Sequence, residues 1–77
     1  MISIRHEELI KAFGNHVREL RKQRGYTMQK LAEEAGIDTR QLSYIELGKV
    51  NTTISSIYAI AKALNISISE LVKLENY

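Results

Sequence analysis

The stretch TMQKLAEEAGIDTRQLSYIELGK, residues 27–49, decides the fold of this chain. Apolar residues recur in it at helical spacing until Gly36, which suits the left-handed conformation just past a helix end. Asp38 is a strong N-cap for the next helix, and Gln41 three residues later completes a capping-box pattern. Ala32 is small enough for two helices to pack closely. Together these features predict a helix-turn-helix, a motif whose second helix enters the major groove of DNA.

The composition indicates a single small domain spanning residues 1–77. The formal net charge is only +2, but four basic residues crowd the approach to the motif: Arg18, Arg21, Lys22 and Arg24. Such a cluster predicts a basic surface suited to phosphate attraction. The sequence contains no cysteine, which excludes disulfides and thiolate metal sites. Because it has neither a signal-peptide pattern nor an apolar run of membrane-spanning length, we expect a cytoplasmic protein without a membrane partner.

Hydrophobic periodicity and capping residues predict an all-α fold, a compact bundle of five helices. The predicted helices cover about residues 6–24, 28–35, 39–47, 53–64 and a short segment after 67. Ser67 and Glu70 form a second capping-box pattern at the start of the last helix, which carries Ile68, Leu71, Val72 and Leu74. Gly14 lies inside the first helix, where glycine costs about 1 kcal/mol relative to alanine. Either a neighbouring helix passes close to Gly14 or the first helix bends there.

Many of these residues resemble the phage-repressor (Cro/CI-like, XRE) helix-turn-helix family, over about residues 13–71. The positions that carry the resemblance are Gly14, Arg18-x-x-Arg21, Gly25-Tyr26-Thr27, Leu31-Ala32, Gly36-Ile37, Leu42-Ser43, Ile45-Glu46 and Ala61-x-Ala63-Leu64. The resemblance implies a lambda-repressor-like DNA-binding domain with its motif, residues 27–48, on the second and third helices. The pattern that follows Asp38 is similar to stand-alone controllers of restriction-modification systems, and many prophage regulators share it. The chain departs from the family at Met28, where members usually carry a phosphate-contacting Gln, and in lacking proline after Gly48.

The outer face of the third helix is the candidate base-contacting surface. On a helical wheel, Arg40, Ser43 and Tyr44 point outward, and Thr39 lies exposed at the N-terminal end. The resemblance implies that this face contacts base edges. Arg40 is the best candidate for a bidentate contact to guanine, a contact that supplies about 1–3 kcal/mol of discrimination. An exposed polar helix face is otherwise ordinary, so the surrounding motif carries this prediction.

Phosphate contacts should flank that face. Thr27 and the backbone of Met28 and Gln29 lie at a helix N-terminus, where N–H groups and the helix dipole favour an anion. Lys49 and Asn51 follow the third helix and can bind the next phosphate. Lys49 as a simple solvated loop lysine remains an equal alternative.

Glu46 falls on the inner side of the third helix, where a carboxylate is expected only if it is paired. The resemblance implies that Arg21 is its partner, in a structural ion pair that ties the first helix to the third. We expect this pair to have no catalytic role.

A single helix-turn-helix contacts too few base pairs, so we expect a homodimer acting on two half-sites about 34 Å apart. The C-terminal segment has more apolar residues than one short helix needs, and these are the candidate dimer-interface residues: Ile66, Ile68, Leu71, Val72 and Leu74. The alternative is that the fifth helix simply covers its own core.

No pattern in the sequence indicates an enzyme. His6 and His16 match no metal-ligand spacing, and neither a nucleophile elbow nor a glycine-rich phosphate loop is present. We therefore expect no cofactor, metal or small-molecule ligand.

The sequence predicts a homodimeric, sequence-specific transcriptional regulator that binds double-stranded DNA at inverted repeats, as a restriction-modification controller or a prophage-type repressor. The alternative is a protein-interaction module, antitoxin-like or partner-binding, that kept the fold and lost DNA binding. Met28 and the modest net charge motivate that alternative.

Overall fold

Five α-helices make up the computed structural model, which describes residues 4–77. The helices are α1 (Glu7–Gln23), α2 (Met28–Ala35), α3 (Thr39–Glu46), α4 (Ile54–Ala63) and α5 (Ile68–Leu71). Because residues 4–77 contain no strand, the predicted all-α, five-helix fold is confirmed. The fifth helix is shorter than predicted, since it ends at Leu71 and leaves Leu74 in the C-terminal tail. None of these five helices has the length and apolar character needed to cross a membrane.

A side chain caps the N-terminus of each helix, and one predicted cap is wrong. The capping box of Ser67 and Glu70 is present at the start of α5. Asp38 does cap α3, but its carboxylate accepts a hydrogen bond from the Arg40 amide at 2.8 Å. The Gln41 side chain does not complete a box. It reaches across to α4 and donates to the Ser56 hydroxyl at 3.5 Å, because α4 starts beside it.

The core is one cluster of buried side chains to which all five helices contribute. Its fully buried large residues are Val17, Leu31, Leu42, Ile45, Ile60, Leu64 and Leu71. Helix α1 packs against α3, α2 packs against both α3 and α4, and α4 packs against α5. Helix α5 therefore joins the core through Leu71, while α3 is held between two other helices.

Gly14 marks the point where α1 and α3 come closest. A Cβ atom on Gly14 would lie 2.3 Å from the carbonyl oxygen of Ile45 and 2.8 Å from that of Glu46. Both contacts are to backbone, which cannot move aside as a flexible side chain could. Of the two explanations left open by the sequence, close passage of a neighbouring helix is the correct one, and it fixes where the C-terminal end of α3 lies.

The turn between α2 and α3 has the predicted geometry. Gly36 adopts the left-handed conformation with φ 72°, and the Ile37 amide donates to the Ala32 carbonyl at 3.0 Å. Ile37 packs against the core from the turn. Ala32 is buried, with 1% of its surface exposed. The predicted helix-turn-helix at residues 27–48 is therefore present.

Candidate nucleic-acid interface

Helix α3 turns its apolar residues inward and leaves a polar edge in solvent. Leu42 and Ile45 are buried in the core. Thr39, Arg40 and Tyr44 are exposed, and Ser43 is half-buried. All four predicted base-contacting residues therefore lie along the accessible side of one helix.

The Arg21–Glu46 ion pair anchors the C-terminal end of α3 to α1. Arg21 donates from Nε to Glu46 Oε2 at 2.8 Å and from Nη2 to Oε1 at 3.1 Å, a bidentate arrangement. Its Nη1 also donates to the Tyr26 carbonyl oxygen at 2.9 Å. Only 11% of the Arg21 side chain and 2% of the Glu46 side chain are exposed. Both carboxylate oxygens are thus paired, which makes burial of Glu46 tolerable and confirms the predicted pair.

The N-terminal end of α2 lies beside the exposed edge of α3. The Thr27 hydroxyl accepts a hydrogen bond from the Lys30 amide at 3.0 Å. The Met28 and Gln29 amides are first-turn donors for which a helix offers no internal acceptor. The Met28 side chain is half-buried against the core, and the Gln29 side chain donates to Glu33 Oε1 at 3.4 Å. At these two positions the backbone, more than the side chains, is available to an anion.

Lys30 lies in the first turn of α2 and pairs with Glu34 one turn later. Its ammonium lies 2.9 Å from Glu34 Oε1, and the hydrogen bond to Glu34 together with the Glu34 charge raises the pKa of Lys30 above its ordinary value.

The loop after α3 carries Lys49 and Asn51, both of which are exposed. The Lys49 amide donates to the Tyr44 carbonyl oxygen at 2.9 Å, which holds the loop against the end of α3. Arg5 donates from Nη2 to the Lys49 carbonyl oxygen, also at 2.9 Å. Sequence reasoning missed this contact, because the two residues are 44 positions apart and no local pattern relates them.

An open cleft of about 230 Å³ separates α1 from the start of α2 and the outer side of α3. We call it the α1–α3 cleft, and its lining residues are Arg18, Arg21, Met28, Ser43, Glu46 and Leu47. Arg18 belongs to the predicted basic cluster, but the sequence analysis gave it no role of its own. The fold brings it, unlike Lys22 and Arg24 of the same cluster, into the cleft beside α3.

The candidate dimer residues at the C-terminus fall into three groups by burial. Leu71 is fully buried in its own chain, so its assignment to a dimer interface is wrong. Ile66 and Leu74 are half-buried against the same core. Ile68 and Val72 are each 40% exposed and remain accessible. Tyr58, which the sequence analysis did not propose for this role, is 55% exposed and lines one groove with Ile68.

Both histidines make contacts within the chain. Across residues 4–77, no three His, Cys, Asp or Glu side chains come together in a way that could hold a metal ion. The His6 side chain accepts a hydrogen bond from the Leu9 amide at 3.1 Å and caps α1. His16 Nε2 lies 3.3 Å from the Glu70 carbonyl oxygen, linking α1 to α5.

Comparison with known proteins gives consistent matches. The sequence model of the helix-turn-helix family HTH_3 matches residues 17–71. The immunity repressor of Bacillus phage phi105 is 36% identical over 59 residues, which make up 77% of this chain and 41% of the repressor. The matched region thus spans less than half the length of that relative.

Two solved structures superpose on most of the chain. The restriction-modification controller protein C.AhdI from Aeromonas hydrophila has a TM-score of 0.79 and 35% sequence identity, covering 86% of this chain and 98% of the controller. The biofilm master regulator SinR, solved in complex with DNA, has a TM-score of 0.73 and 31% identity, covering 79% and 98%. With the family match over residues 17–71, these similarities show that the chain belongs to the HTH_3 (XRE) family of helix-turn-helix proteins and has its lambda-repressor-like fold.

Proposed function

We propose that the protein is a transcriptional regulator that binds double-stranded DNA sequence-specifically through α3. The observation that carries this proposal is the division of α3 into a buried apolar face and an exposed polar edge, formed by Thr39, Arg40 and Tyr44. The start of α2 lies beside α3, because Met28 and Ser43 line the same cleft. A helix presented in this way fits the major groove of B-DNA. The similarity to SinR, whose structure contains DNA, and to a phage immunity repressor supports the same function.

Base contacts come from the exposed edge of α3. Arg40 is exposed and near the N-terminal end of the helix, the end that contacts base edges in helix-turn-helix complexes. Its guanidinium can donate two hydrogen bonds to O6 and N7 of one guanine. Thr39 and Ser43 can hydrogen bond to bases or phosphates, while the Tyr44 ring can pack against a thymine methyl group.

Phosphate contacts hold α3 in the groove from both sides. On one side are Thr27 and the amides of Met28 and Gln29 at the N-terminus of α2, where the helix dipole adds to hydrogen bonding. On the other side are Lys49 and Asn51, exposed in the loop that Arg5 holds. These contacts set the register of α3 on the duplex without specifying its sequence.

We further propose that the protein acts as a homodimer on an inverted repeat. A two-fold dimer presents two α3 helices, and its operator would have half-sites about 34 Å apart. The proposed dimer surface consists of the exposed Ile68 and Val72 and the partly buried Ile66 and Leu74. We add Tyr58 to it, because Tyr58 is exposed and lines one groove with Ile68. Regulation of restriction-modification genes is one version of this proposal, supported by the similarity to C.AhdI, and prophage-type repression is the other.

Selection of bound sites from a random duplex library tests the proposal, with Arg40→Ala selected in parallel. We expect the wild-type protein to enrich an inverted repeat with half-sites about one helical turn apart. Arg40→Ala should lose preference at one symmetric position, at a cost of about 1–3 kcal/mol there.

Gln41→Ala is the matched control, because Gln41 is the next residue of α3 but its side chain contacts Ser56 of α4. It should enrich the wild-type sequence. If no site is enriched by any of the three proteins, the DNA-binding proposal is wrong.

A protein-interaction module is the second candidate function. Met28 leaves the first turn of α2 without a polar side chain in the cleft, and α4 exposes Ile54 and Tyr58 by 76% and 55%. A module of this kind would show no salt-dependent affinity for random-sequence duplex, whereas a DNA-binding regulator must show it.

A further inference from the structure

The α1–α3 cleft carries one positive charge that its own residues do not neutralise. Arg21 and Glu46 pair with each other inside it, so their charges cancel. Met28, Ser43 and Leu47 are neutral. Arg18 is exposed at the edge of the cleft and supplies the remaining positive charge. An anion entering the cleft would therefore meet Arg18 as its charged partner.

Arg18 has no acidic partner within the part of the chain that the structure describes. The salt bridges there join Arg5 to Glu7, Arg21 to Glu46 and Lys30 to Glu34. The residues one helical turn away from Arg18 on α1 include no Asp or Glu: Gly14, Asn15, Arg21 and Lys22. No residue from 4 to 77 therefore occupies the five N–H donors of its guanidinium, which can bind a ligand.

We infer that Arg18 binds a backbone phosphate of the same DNA that α3 contacts, from the α1 side of the cleft. The inference rests on the proposed function. Ser43, a proposed base-contacting residue, lines the same cleft as Arg18, so a strand that Ser43 touches passes the opening of the cleft. A guanidinium matches a phosphate group in both charge and hydrogen-bond geometry. Arg18 thereby provides a charged side-chain contact next to Met28, whose thioether cannot donate a hydrogen bond.

The test is fluorescence-anisotropy titration of a random-sequence duplex over a series of KCl concentrations, with wild-type protein and Arg18→Ala. Each phosphate contact contributes about 0.9 to the slope of log affinity against log salt concentration. We expect Arg18→Ala to reduce that slope by about 0.9 and to lower affinity at low salt about tenfold. Its thermal unfolding should match that of the wild type, because Arg18 pairs with no carboxylate of residues 4–77.

Arg24→Ala is the matched control. It removes the same charge near the same end of α1, but Arg24 lies about 240° round the helix axis from Arg18 and does not line the cleft. We expect its salt slope to equal that of the wild type. If both variants lower the slope equally, the slope depends on the total positive charge of α1 and not on a phosphate contact by one residue. The assignment to Arg18 is then overturned.

The remaining outcomes separate this inference from the function it rests on. If wild-type protein binds with a salt-dependent affinity and Arg18→Ala keeps the full slope, the Arg18 contact is wrong and the regulator proposal stands. If wild-type protein shows no salt-dependent binding, the DNA-binding proposal itself fails.

Discussion

The helix-turn-helix and the C-terminal segment, residues 64–77, differ in how many constraints hold them in place. Helix α3 is fixed by the left-handed turn at Gly36, by close contact with Gly14 and by the buried pair of Arg21 and Glu46. Helix α5 has four residues and contributes one fully buried side chain, Leu71. A surface that must match DNA needs a fixed position, whereas an apolar surface can be completed by a partner.

The surfaces that the two regions expose differ accordingly. The edge of α3 offers hydrogen-bond donors and acceptors, and its flanks offer amides and cations. The C-terminal segment exposes Ile68, Val72 and Tyr77. The edge of α3 and its flanks suit DNA, a polyanion with patterned base edges. The exposed apolar residues of the C-terminal segment suit contact with another protein surface. We therefore expect substitutions in the two regions to impair different properties of the protein.

The largest expected effect is at the ion pair that holds α3. Glu46→Ala leaves the Arg21 guanidinium, whose side chain is 11% exposed, without a counter-charge. Removal of one partner of a buried pair costs about 3–5 kcal/mol, so we expect the free energy of unfolding to fall by about that amount. Urea denaturation followed by circular dichroism measures it.

The control for Glu46→Ala is Glu34→Ala, which breaks the exposed pair between Lys30 and Glu34 in α2. Exposed pairs contribute little to stability, so this variant should unfold near the wild-type midpoint. Equal losses in the two variants would contradict the view that burial gives the Arg21–Glu46 pair its importance.

Leu71→Ala tests whether one side chain attaches α5 to the core. Truncation of a fully buried leucine costs about 2–5 kcal/mol, and we expect the low end of that range because a four-residue helix can shift to fill part of the space. Denaturation of Leu71→Ala against Val72→Ala measures the difference, since Val72 is adjacent and partly exposed. A loss no larger than that of Val72→Ala would mean that α5 is not held through Leu71.

The sequence predicted the helix-turn-helix well because independent local signals coincide there. Each of three features is compatible with few local structures: glycine at residue 36, a small residue at 32 and a carboxylate on the inner side of α3. The structure confirms the turn at Gly36, the close packing at Ala32 and the pairing of Glu46. The sequence failed where a flexible polar side chain had a choice of partners. Gln41 had a local cap within reach but contacts Ser56 instead.

The C-terminal segment was harder to predict for a different reason. A helix of a single turn has too few residues for periodicity to separate a buried face from an exposed one. Leu71 and Ile68 are equally apolar in sequence, yet only Leu71 reaches the core. Similarly, the contact between Arg5 and the Lys49 carbonyl depends on how the chain brings residue 5 beside the loop after α3. The four base-contacting candidates lie on the accessible side of α3, and their contacts with bases stay a prediction.

Ile68→Lys should have the smallest effect on folding of these substitutions. It should have the clearest effect on dimerisation. Ile68 is 40% exposed, so the substitution should leave the stability of the monomer nearly unchanged, as surface substitutions usually do within about 0.5 kcal/mol. On the proposed dimer surface it places two ammonium groups near the two-fold axis, and we expect dimerisation to weaken at least tenfold, which corresponds to about 1.4 kcal/mol. Sedimentation equilibrium measures the association constant.

Ile54→Lys is the control for that measurement, because Ile54 is a more exposed isoleucine that lies outside the groove shared by Tyr58 and Ile68. It should dimerise as the wild type does. If Ile54→Lys disrupts the dimer and Ile68→Lys does not, the dimer surface lies at the start of α4, and the apolar residues of α5 serve only their own core.

If the wild-type protein stays monomeric at every concentration, the two-fold proposal fails. In that case α3 would have to bind single half-sites, where phosphate contacts such as those of Arg18 and Lys49 would supply most of the affinity.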